Sequence, residues 1–409
     1  MLNGEVHDWY RFRLGFSDHL VSDLLADFGA SRQSRVLDPF CGTGTVLVEC
    51  MKQGINCIGV DANPATLFAA QVKTTWRLDS TRVLELLDEV ETSYERHFNI
   101  RTLAADPTFR YLEQAGFLKR GWIEVEPLLE ALAIKHAVQA LKTSTKYRRL
   151  LVLALLACVI KDGSNLKFGP ELYCAKRATA PDVLGGFIDR VETMASDLRV
   201  LAAAHSGRAT VILGDSRECH RLLTRRSHFD IVICSPPYPA EHDYTRNTRM
   251  ELAFLEHVVD RATLRTIKST MIRSHTKGLY SADNDREYVE GEPRVHSLVG
   301  RVQTAVNGKT YGFARLYPRI VEEYFGGIVR HLRSLRKVLA PNAVCAYIVG
   351  DQSSYLGVHI RTASVLAGLA ERNGYELVGI RHWRHRWSTS TSRQIDENIL
   401  ILRPSPKNA

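Results

Sequence analysis

The chain has 409 residues, a hydrophobic fraction of 45% and a net charge of +9 at neutral pH. It can bury a large core and exceeds a minimal catalytic domain of about 200 to 250 residues, so we expect an inserted module. Eight cysteines without a Cys-x-x-Cys pair support neither a zinc ribbon nor a disulfide framework, and no apolar run reaches membrane length. We therefore expect a cytoplasmic protein with no metal and no membrane contact, whose charge suits a polyanionic partner.

The first predicted strand, residues 35–37, runs into a glycine-rich turn followed by a helix. Glycines in such a turn allow the backbone to adopt positive φ and to approach a ligand, and free N–H groups at the helix start favour a carboxylate. The spacing is neither the GxGxxG of dinucleotide sites nor a P-loop. It predicts a nucleotide-type cofactor site formed by Asp38, Pro39, Phe40, Cys41, Gly42, Thr43, Gly44 and Thr45.

Two later strands each end in an acid. The second strand, residues 56–61, ends at Asp61, about twenty residues after the turn, where a ribose diol would be held. Ala62 and Asn63 follow it, and Asn63 opens the next helix. The third strand, residues 209–216, carries Asp215 and Ser216, which suit an adenine amino group.

Residues 76–205 separate the second strand from the third and are predicted to be mostly helical, with helices over 83–94, 125–141, 147–160 and 181–201. The apolar run 150–160 is too short to span a bilayer and predicts a buried helix. Residues 161–170 are predicted to be a loop. Ser164, Asn165 and Lys167 in it could reach a base or a phosphate, and a capping turn between helices is equally consistent.

The fourth strand, residues 229–234, ends in the turn Ser235-Pro236-Pro237-Tyr238. Two prolines fix φ near −65° and remove two donors, so the turn is a rigid ledge of carbonyl acceptors beside the flat face of Tyr238. Such a ledge suits an NH2 group in the plane of a base. A Pro-Pro turn after a strand is by itself more often structural, and the cofactor-type turn upstream favours the catalytic interpretation.

A second insert, residues 239–318, follows this turn. It mixes basic and aromatic residues, which suits a nucleic-acid groove, although a solvated charged surface has the same composition. The candidates for nucleic-acid contact are Tyr244, Arg246, Arg273 and Lys277, with 309–311 as a further basic segment.

The C-terminal part predicts a helix over 319–339 that stops at Pro341, and strands over 343–349, 375–380 and 398–402. No crossover helix separates the last two strands, which indicates an antiparallel edge hairpin. Residues 382–386 (HWRHR) suggest a metal or phosphate site, or the polar end of the sixth strand. Few residues follow the last strand, so we expect sequence recognition to come from the two inserts or from a partner.

Strands alternating with helices predict a mostly parallel sheet with helices on both faces, and ligands bind at the carboxyl ends of its strands. The glycine turn, Asp61, Asp215 and the Ser235 turn would then surround one crevice.

Together these four segments resemble motifs I to IV of the S-adenosylmethionine-dependent amino-methyltransferases, and Ser235 makes the chain most similar to the cytosine-N4 DNA methyltransferases. The segment His7 to Ser17 resembles the motif that precedes the glycine turn, which implies that Phe16 lines the methionine end of the cofactor. The resemblance covers residues 1–75 and about 205–402. It implies a class I methyltransferase fold, with a Rossmann-like seven-stranded sheet, mostly parallel with an antiparallel edge strand, and a helical insert.

The resemblance also implies a domain division and partners. Residues 1–75 would form the cofactor half, 76–205 a helical insert for target recognition, and 206–409 the catalytic half containing the insert 239–318. The cofactor would be S-adenosylmethionine, and the substrate DNA with its target base flipped out of the stack. A restriction or defence-system partner is compatible with this family.

In this interpretation the Ser235 hydroxyl and the Pro236 carbonyl hold the N–H groups of cytosine N4, and Tyr238 stacks on the base. Cys41 and Cys234 would be thiolate nucleophiles in a cytosine-C5 enzyme, but that class has a Pro-Cys turn, so both are expected to be packing residues. The alternatives are a guanine-N2 or adenine-N6 RNA methyltransferase and a non-catalytic nucleic-acid-binding scaffold. Guanine-N2 enzymes place an acid before Pro-Pro-Tyr and carry an N-terminal RNA-binding domain.

Overall fold

The computed structural model describes residues 6–10, 12, 15–168, 172–177, 179–202, 206–223, 228–307, 312–388 and 391–406. Arg11, Arg13 and Leu14 of the predicted N-terminal motif and the basic segment 309–311 lie outside the described residues. Within them the strands are β1 (Arg35–Asp38), β2 (Asn56–Asp61), β3 (Leu166–Phe168), β4 (Leu172–Cys174), β5 (Ala209–Leu213), β6 (Phe229–Cys234), β7 (Leu339–Gly350), β8 (Tyr375–Ser388) and β9 (Arg393–Pro404).

The helices of the same residues fall into three groups along the chain. Three helices precede residue 76: α1 (Asp18–Asp27), α2 (Thr45–Lys52) and α3 (Pro64–Lys73). The first insert holds α4 (Ser80–Ser93), α5 (Ile100–Ala104), α6 (Pro107–Gln114), α7 (Val125–Ala140), α8 (Thr145–Cys158) and α9 (Val183–Leu201). The remainder are α10 (Cys219–Leu222), α11 (Tyr244–Asn247), α12 (Arg249–Phe254), α13 (Arg261–Ser269), α14 (Pro293–Val306), α15 (Tyr317–Leu335) and α16 (Thr362–Glu371).

In the described residues, seven strands form one sheet in the order β5-β2-β1-β6-β7-β9-β8. The pairs from β5 to β7 are parallel, and β9 is antiparallel to both β7 and β8. All seven strands predicted for this sheet are present, and the last two form the expected antiparallel hairpin. The arrangement is that of a class I methyltransferase, which confirms the predicted fold class.

The sheet is buried on both faces because most positions of its central strands are apolar. Ile231 and Ile233 of β6 face a core formed with α1, α2 and α3, whereas Val232 and Cys234 face a core formed with α14, α15 and α16. This two-residue alternation is the side-chain period of a strand covered by helices on each side. The carboxyl ends of β1, β2 and β6 therefore open at one edge, where loops rather than helices cover the sheet.

The predicted end of the long C-terminal helix was wrong. The helix α15 ends at Leu335, and Pro341 lies inside β7. The ladder between β6 and β7 shifts register between Phe229 and Ile231, whose partners are Leu339 and Val344. A proline, which has no N–H to donate, is tolerated at such an interruption of the ladder.

The predicted loop over 161–170 was also wrong. Residues Val159–Gly163 form a π-helical turn, and β3 then pairs antiparallel with β4. Leu166 and Leu172 are buried and fix this hairpin against the insert helices. The predicted buried helix over 150–160 is present as α8, whose residues from Leu150 to Cys158 are almost entirely buried.

The first insert shares its apolar core with α3 and with the N-terminal residues Val6, Trp9 and Tyr10. The division at residues 75 and 205 stays a prediction. In the part of the chain that the structure describes, no helix combines the length and apolar character needed to cross a membrane.

Candidate active site

A cavity of about 130 Å³, open to solvent, lies at the carboxyl ends of β1, β2 and β6. From the predicted cofactor set its wall includes Phe16, Pro39, Phe40, Cys41, Gly42, Thr43, Thr45, Asp61, Ala62, Asn63 and Ser216. From the catalytic turn it includes Ser235 and Pro237. The structure thus brings most of the predicted site residues to one cavity, while Asp38, Gly44, Asp215, Pro236 and Tyr238 lie outside its lining.

The glycine turn is shaped by two positive-φ residues with different surroundings. Gly42 has a φ of +49°, and no atom lies within 4 Å of where its Cβ would be, so its backbone faces open space in the cavity wall. Gly44 has a φ of +87° and starts α2, and a Cβ there would lie 3.1 Å from the Cβ of Ala70. A side chain at position 44 would therefore disturb the packing of α2 on α3.

Two carboxylates hold this turn by accepting hydrogen bonds from its backbone. Asp38 is buried and accepts a hydrogen bond from the Phe40 N–H at 3.0 Å, and burial raises the pKa of Asp38 well above its usual value. Asp61 accepts from the Gly42 N–H at 2.8 Å and from the Asn63 N–H at 2.7 Å. Because Asp61 also lines the cavity, it joins the end of β2 to the turn and presents a carboxylate to a ligand.

Asp215 is not directed at the cavity. Its carboxylate takes the side chain of Arg217, with Nη2 at 2.7 Å and Nε at 2.9 Å from its oxygens, and it accepts the Arg217 backbone N–H at 2.9 Å. Arg217 in turn pairs with the buried Asp285. Asp215 therefore caps the short helix Ser216–Glu218 and anchors the second insert, and Ser216 is the member of this predicted pair that reaches the cavity.

The catalytic turn is held by a chain of hydroxyl groups. The Ser235 hydroxyl donates to the Tyr238 hydroxyl at 3.2 Å, which donates to the buried carboxylate of Glu397 on β9 at 2.8 Å. Burial raises the pKa of Tyr238 well above its usual value, so this phenol remains a donor. The Tyr324 hydroxyl donates to the Pro237 carbonyl at 2.9 Å. The turn is rigid, and Tyr238 acts within it as a link to β9.

The guanidinium of Arg386 lies over the Tyr238 ring, 5.2 Å from the ring centroid, and therefore occupies one of its two faces. Its stacking on a base stays a prediction. Tyr244, whose hydroxyl accepts the Tyr238 N–H at 2.9 Å, is the tyrosine that lines the cavity.

The N-terminal segment closes one side of the cavity through Phe12, Gly15 and Phe16. Lys73 on α3 holds this segment by donating to the Tyr10 carbonyl at 2.7 Å, and the Tyr10 hydroxyl donates to the buried Glu251. Burial raises the pKa of Glu251 to about 7.

The opposite side is built by the second insert, with Lys268, Thr270, Met271, Ile272, Arg273, Ser274, His275 and Gly278. Neither Lys268 nor His275 was among the site residues predicted from the sequence. Both contact Asp243, eight residues after Ser235: Lys268 Nζ lies 2.6 Å from Asp243 Oδ2, and His275 Nε2 lies 3.6 Å from Asp243 Oδ1. An acid that soon follows the catalytic turn was the available signal.

Three residues predicted to contact nucleic acid have buried side chains that are bonded within the protein, and one of them, Arg273, also lines the cavity, so their contact with nucleic acid stays a prediction. Ser164 donates to the Ile160 carbonyl at 2.8 Å, and Asn165 donates to the Gly121 carbonyl at 3.1 Å. Arg273 is 5% exposed and forms an ion pair with Asp283 at 2.7 Å. Lys167, Arg246 and Lys277 are exposed, so their contact with nucleic acid stays a prediction.

Two further expectations concern cysteines and the basic segment 382–386. Cys41 and Cys234 are buried, and burial raises the pKa of both thiols well above the usual value, which disfavours a thiolate nucleophile. Residues 382–386 lie within β8, as the polar end of the sixth predicted strand. His385 Nδ1 there lies 2.9 Å from Asp396 Oδ1 on β9.

The cavity suits an adenosyl cofactor. Its wall contains the apolar side chains of Phe16 and Phe40 and the carboxylate of Asp61 at the end of β2. The open space beside Gly42 lets a ligand approach the backbone near the start of α2. S-adenosylmethionine is the cofactor of chains with this fold and these motifs.

Comparison with known proteins gives a consistent result. The family model for N6 and N4 DNA methylases matches residues 19–71. The type II methyltransferase M.BsoBI of Geobacillus stearothermophilus is 24% identical over an alignment that covers 98% of this chain and 85% of that protein. M.AvaI of Nostoc sp. is 22% identical, with 90% and 79% covered. The crystal structure of TrmN from Thermus thermophilus matches 97% of this chain and 52% of that chain at 11% identity and a TM-score of 0.34, a likeness too low to carry an argument.

Proposed function

We propose that this chain, a relative of the N6 and N4 DNA methyltransferases, methylates an exocyclic amino group in DNA, and that this group is N4 of cytosine. The support comes from one cavity that holds both the cofactor-type turn with Asp61 and the head of the Ser235 turn. The similarity to type II DNA methyltransferases over almost the whole chain supports DNA as the substrate.

The observation that carries the proposal is the direction of the hydroxyl chain. Glu397 can only accept, so Tyr238 donates to it, and the Tyr238 oxygen then accepts the hydrogen of Ser235. The Ser235 oxygen is left with lone pairs and no hydrogen for a ligand in the cavity. A group that must accept hydrogen bonds from its substrate selects an amino group over a carbonyl oxygen.

The bound cofactor supplies an electrophilic methyl group on a sulfonium. The protein supplies position and polarity: the Ser235 oxygen, which lines the cavity, accepts one N–H group of the target. We assign the second N–H group to the carbonyl of Pro236, the next residue of the turn, although Pro236 itself lies outside the lining. Together these acceptors localise the nitrogen lone pair. The rigid prolines and the anchors from Tyr324 and Tyr244 keep these acceptors in place. The base must leave the duplex to reach a cavity behind this turn.

The experiment is mass spectrometry of nucleosides from DNA treated with the purified protein and cofactor. We expect N4-methylcytosine and no 5-methylcytosine. Ser235→Ala should lower kcat by roughly tenfold to a hundredfold, because one hydrogen bond strengthened in the transition state is removed, with cofactor affinity nearly unchanged. Tyr238→Phe should lower kcat as well, since Ser235 is then free to turn its hydrogen toward the substrate.

Tyr288→Phe is the matched control, because Tyr288 is half-buried and lies outside the cavity lining. If the product is N6-methyladenine, the proposed target base is wrong, but the proposal that the protein methylates DNA is retained. Methylation of tRNA instead of DNA would overturn the proposal.

A further inference from the structure

His275 is a buried cavity residue with an unused nitrogen. It is 8% exposed and lines the same cavity as Ser235. Among the described residues its Nδ1 has no hydrogen-bond partner. Nδ1 has almost no exposed surface in the ligand-free protein. Because a buried polar atom without a partner is costly, a target base that shifts the cavity wall and supplies a donor to Nδ1 gains a hydrogen bond that the free protein lacks.

The other edge of the ring is fixed. Nε2 lies 3.6 Å from Asp243 Oδ1, and the ring packs against Gly278, where a Cβ would lie 2.8 Å from Nε2. Asp243 is itself held by Lys268 and by the Thr245 hydroxyl, each at 2.6 Å. Although burial acts to raise it, the pKa of Asp243 is lowered because His275 and Lys268 lie beside the carboxylate. A fixed carboxylate 3.6 Å from Nε2 favours the ring hydrogen on that nitrogen, which leaves the Nδ1 lone pair available.

This pair is tied to the catalytic turn by a short segment. Asp243 precedes Tyr244, whose hydroxyl accepts the Tyr238 N–H, and the Ser274 hydroxyl donates to the His242 carbonyl at 3.0 Å. The imidazole therefore belongs to the target side of the cavity and not to the glycine turn.

We propose that His275 is the base that takes the proton released from the target amino group. This inference rests on the proposed amino-group methylation. Forming the new N–C bond breaks the S–C bond, whose electron pair stays on sulfur, and leaves the nitrogen cationic. As this positive charge develops, one N–H bond breaks, its electron pair returns to nitrogen, and the proton moves to Nδ1 of His275. The imidazolium that results lies beside the Asp243 carboxylate and passes the proton to solvent when the product leaves.

The basicity of this imidazole is sufficient. Burial lowers the pKa of His275 to about 4, with Lys268, His242 and Arg273 adding to the effect and Asp243 opposing it. The ring is therefore neutral near pH 7, in the form that accepts a proton. The amino nitrogen becomes more acidic as the N–C bond forms and conjugation with the base ring is lost, so a weak base that begins to accept the proton in the transition state lowers the barrier.

Two substitutions separate proton transfer from hydrogen bonding. In His275→Asn, Oδ1 can occupy the place of Nδ1 and accept a hydrogen bond but not a proton, whereas His275→Ala removes both. We expect kcat of the Asn variant to fall by about a hundredfold or more, with KM for DNA changed by no more than about twofold. Added imidazole should restore turnover to the Ala variant. In the Asn variant kcat should rise with pH between about 6 and 9 as hydroxide replaces the base, while wild-type kcat stays flat.

The tautomer provides a test that needs no turnover. Long-range proton–nitrogen NMR of the histidine-labelled protein, without cofactor or DNA, should show hydrogen on Nε2 and none on Nδ1 of His275. His296→Asn is the matched control for activity, since His296 is exposed on α14.

A hydrogen on Nδ1, or full kcat in His275→Asn, would overturn the role of His275 even if the wild-type protein methylates DNA. Conversely, N6-methyladenine as the product would correct the target base and leave the proton acceptor intact. A structural role alone would lower stability and all activities together, without rescue by imidazole and without the altered pH profile.

Discussion

Replacing Asp61 by alanine tests how the cofactor side of the cavity is built. The carboxylate accepts two backbone N–H groups, from Gly42 and Asn63, and the Thr66 hydroxyl at 3.3 Å. Hydrogen bonds to a charged group contribute about 1.5 to 3 kcal/mol each, but burying the charge opposes them, and burial indeed raises the pKa of Asp61. We therefore expect a net loss of about 2 to 3 kcal/mol in the free energy of unfolding. Losing the ribose partner should also weaken cofactor binding by about 1.5 to 3 kcal/mol, roughly tenfold to a hundredfold in Kd.

Urea unfolding and titration calorimetry with S-adenosylmethionine measure the two effects separately. Asp61→Asn keeps an acceptor oxygen for the turn and should recover part of the stability while binding cofactor less tightly than wild type. Asp230→Ala is the control, because Asp230 accepts the Arg35 N–H at 2.8 Å at the other end of β1, away from the cavity. Unchanged cofactor affinity in Asp61→Ala would refute the assignment of this acid to the cofactor.

Three other predictions follow from the same geometry. Gly44→Ala should destabilise the protein by more than Gly42→Ala, because a methyl group at position 44 contacts Ala70. A methyl group at position 42 costs only the strain of a left-handed backbone, about 1 to 2 kcal/mol. The melting temperatures of the two variants, measured by thermal unfolding, test this order. Glu251→Gln should stabilise the protein by up to about 3 kcal/mol above pH 7 and by little below pH 4.5. The raised pKa of Glu251 means that the folded state binds the proton more tightly than the unfolded state, so wild-type stability falls as pH rises between these values. Equal pH dependence of urea unfolding in both proteins would contradict this. Three exposed cations, Lys167, Arg246 and Lys277, are to be replaced together by alanine. The slope of log affinity for DNA against log salt concentration should become shallower by about 0.9 for each phosphate that these side chains neutralise in the wild-type complex. An unaltered slope would show that these residues do not contact DNA.

The strands and the glycine turn were predictable because their signals are local. Runs such as 229–234 are apolar at almost every position, and a glycine turn directly after a strand has few structural solutions. The fold class follows from the order of such elements, and so does the meeting of the glycine turn, Asp61 and Ser235 at one edge of the sheet.

The orientation of individual polar side chains was not predictable because it depends on partners distant in sequence. Asp215 has the spacing of a ligand-binding acid, but Arg217 also pairs with Asp285 and holds the Asp215 carboxylate away from the cavity. The sequence predicts that Arg273 is a surface cation, whereas in the structure it is buried in an ion pair with Asp283. The role of His275 depends on Asp243, 32 residues earlier, and on a wall that forms only when the second insert folds over the sheet.

The position of the first insert has a consequence for how this molecule folds. Two strands that precede this insert pair with strands that follow it: β2 pairs with β5, joining Cys57 to Ala209, and β1 pairs with β6, joining Val36 to Ile231. Closing loops of this length is slow, whereas each helix between them is held by backbone hydrogen bonds that are local in sequence. The helical insert should therefore form early and dock on α3, and the parallel sheet should close last. Ligand binding would then appear only at the end of folding, and a nascent chain released before β6 would hold the complete glycine turn without a cavity to bind in.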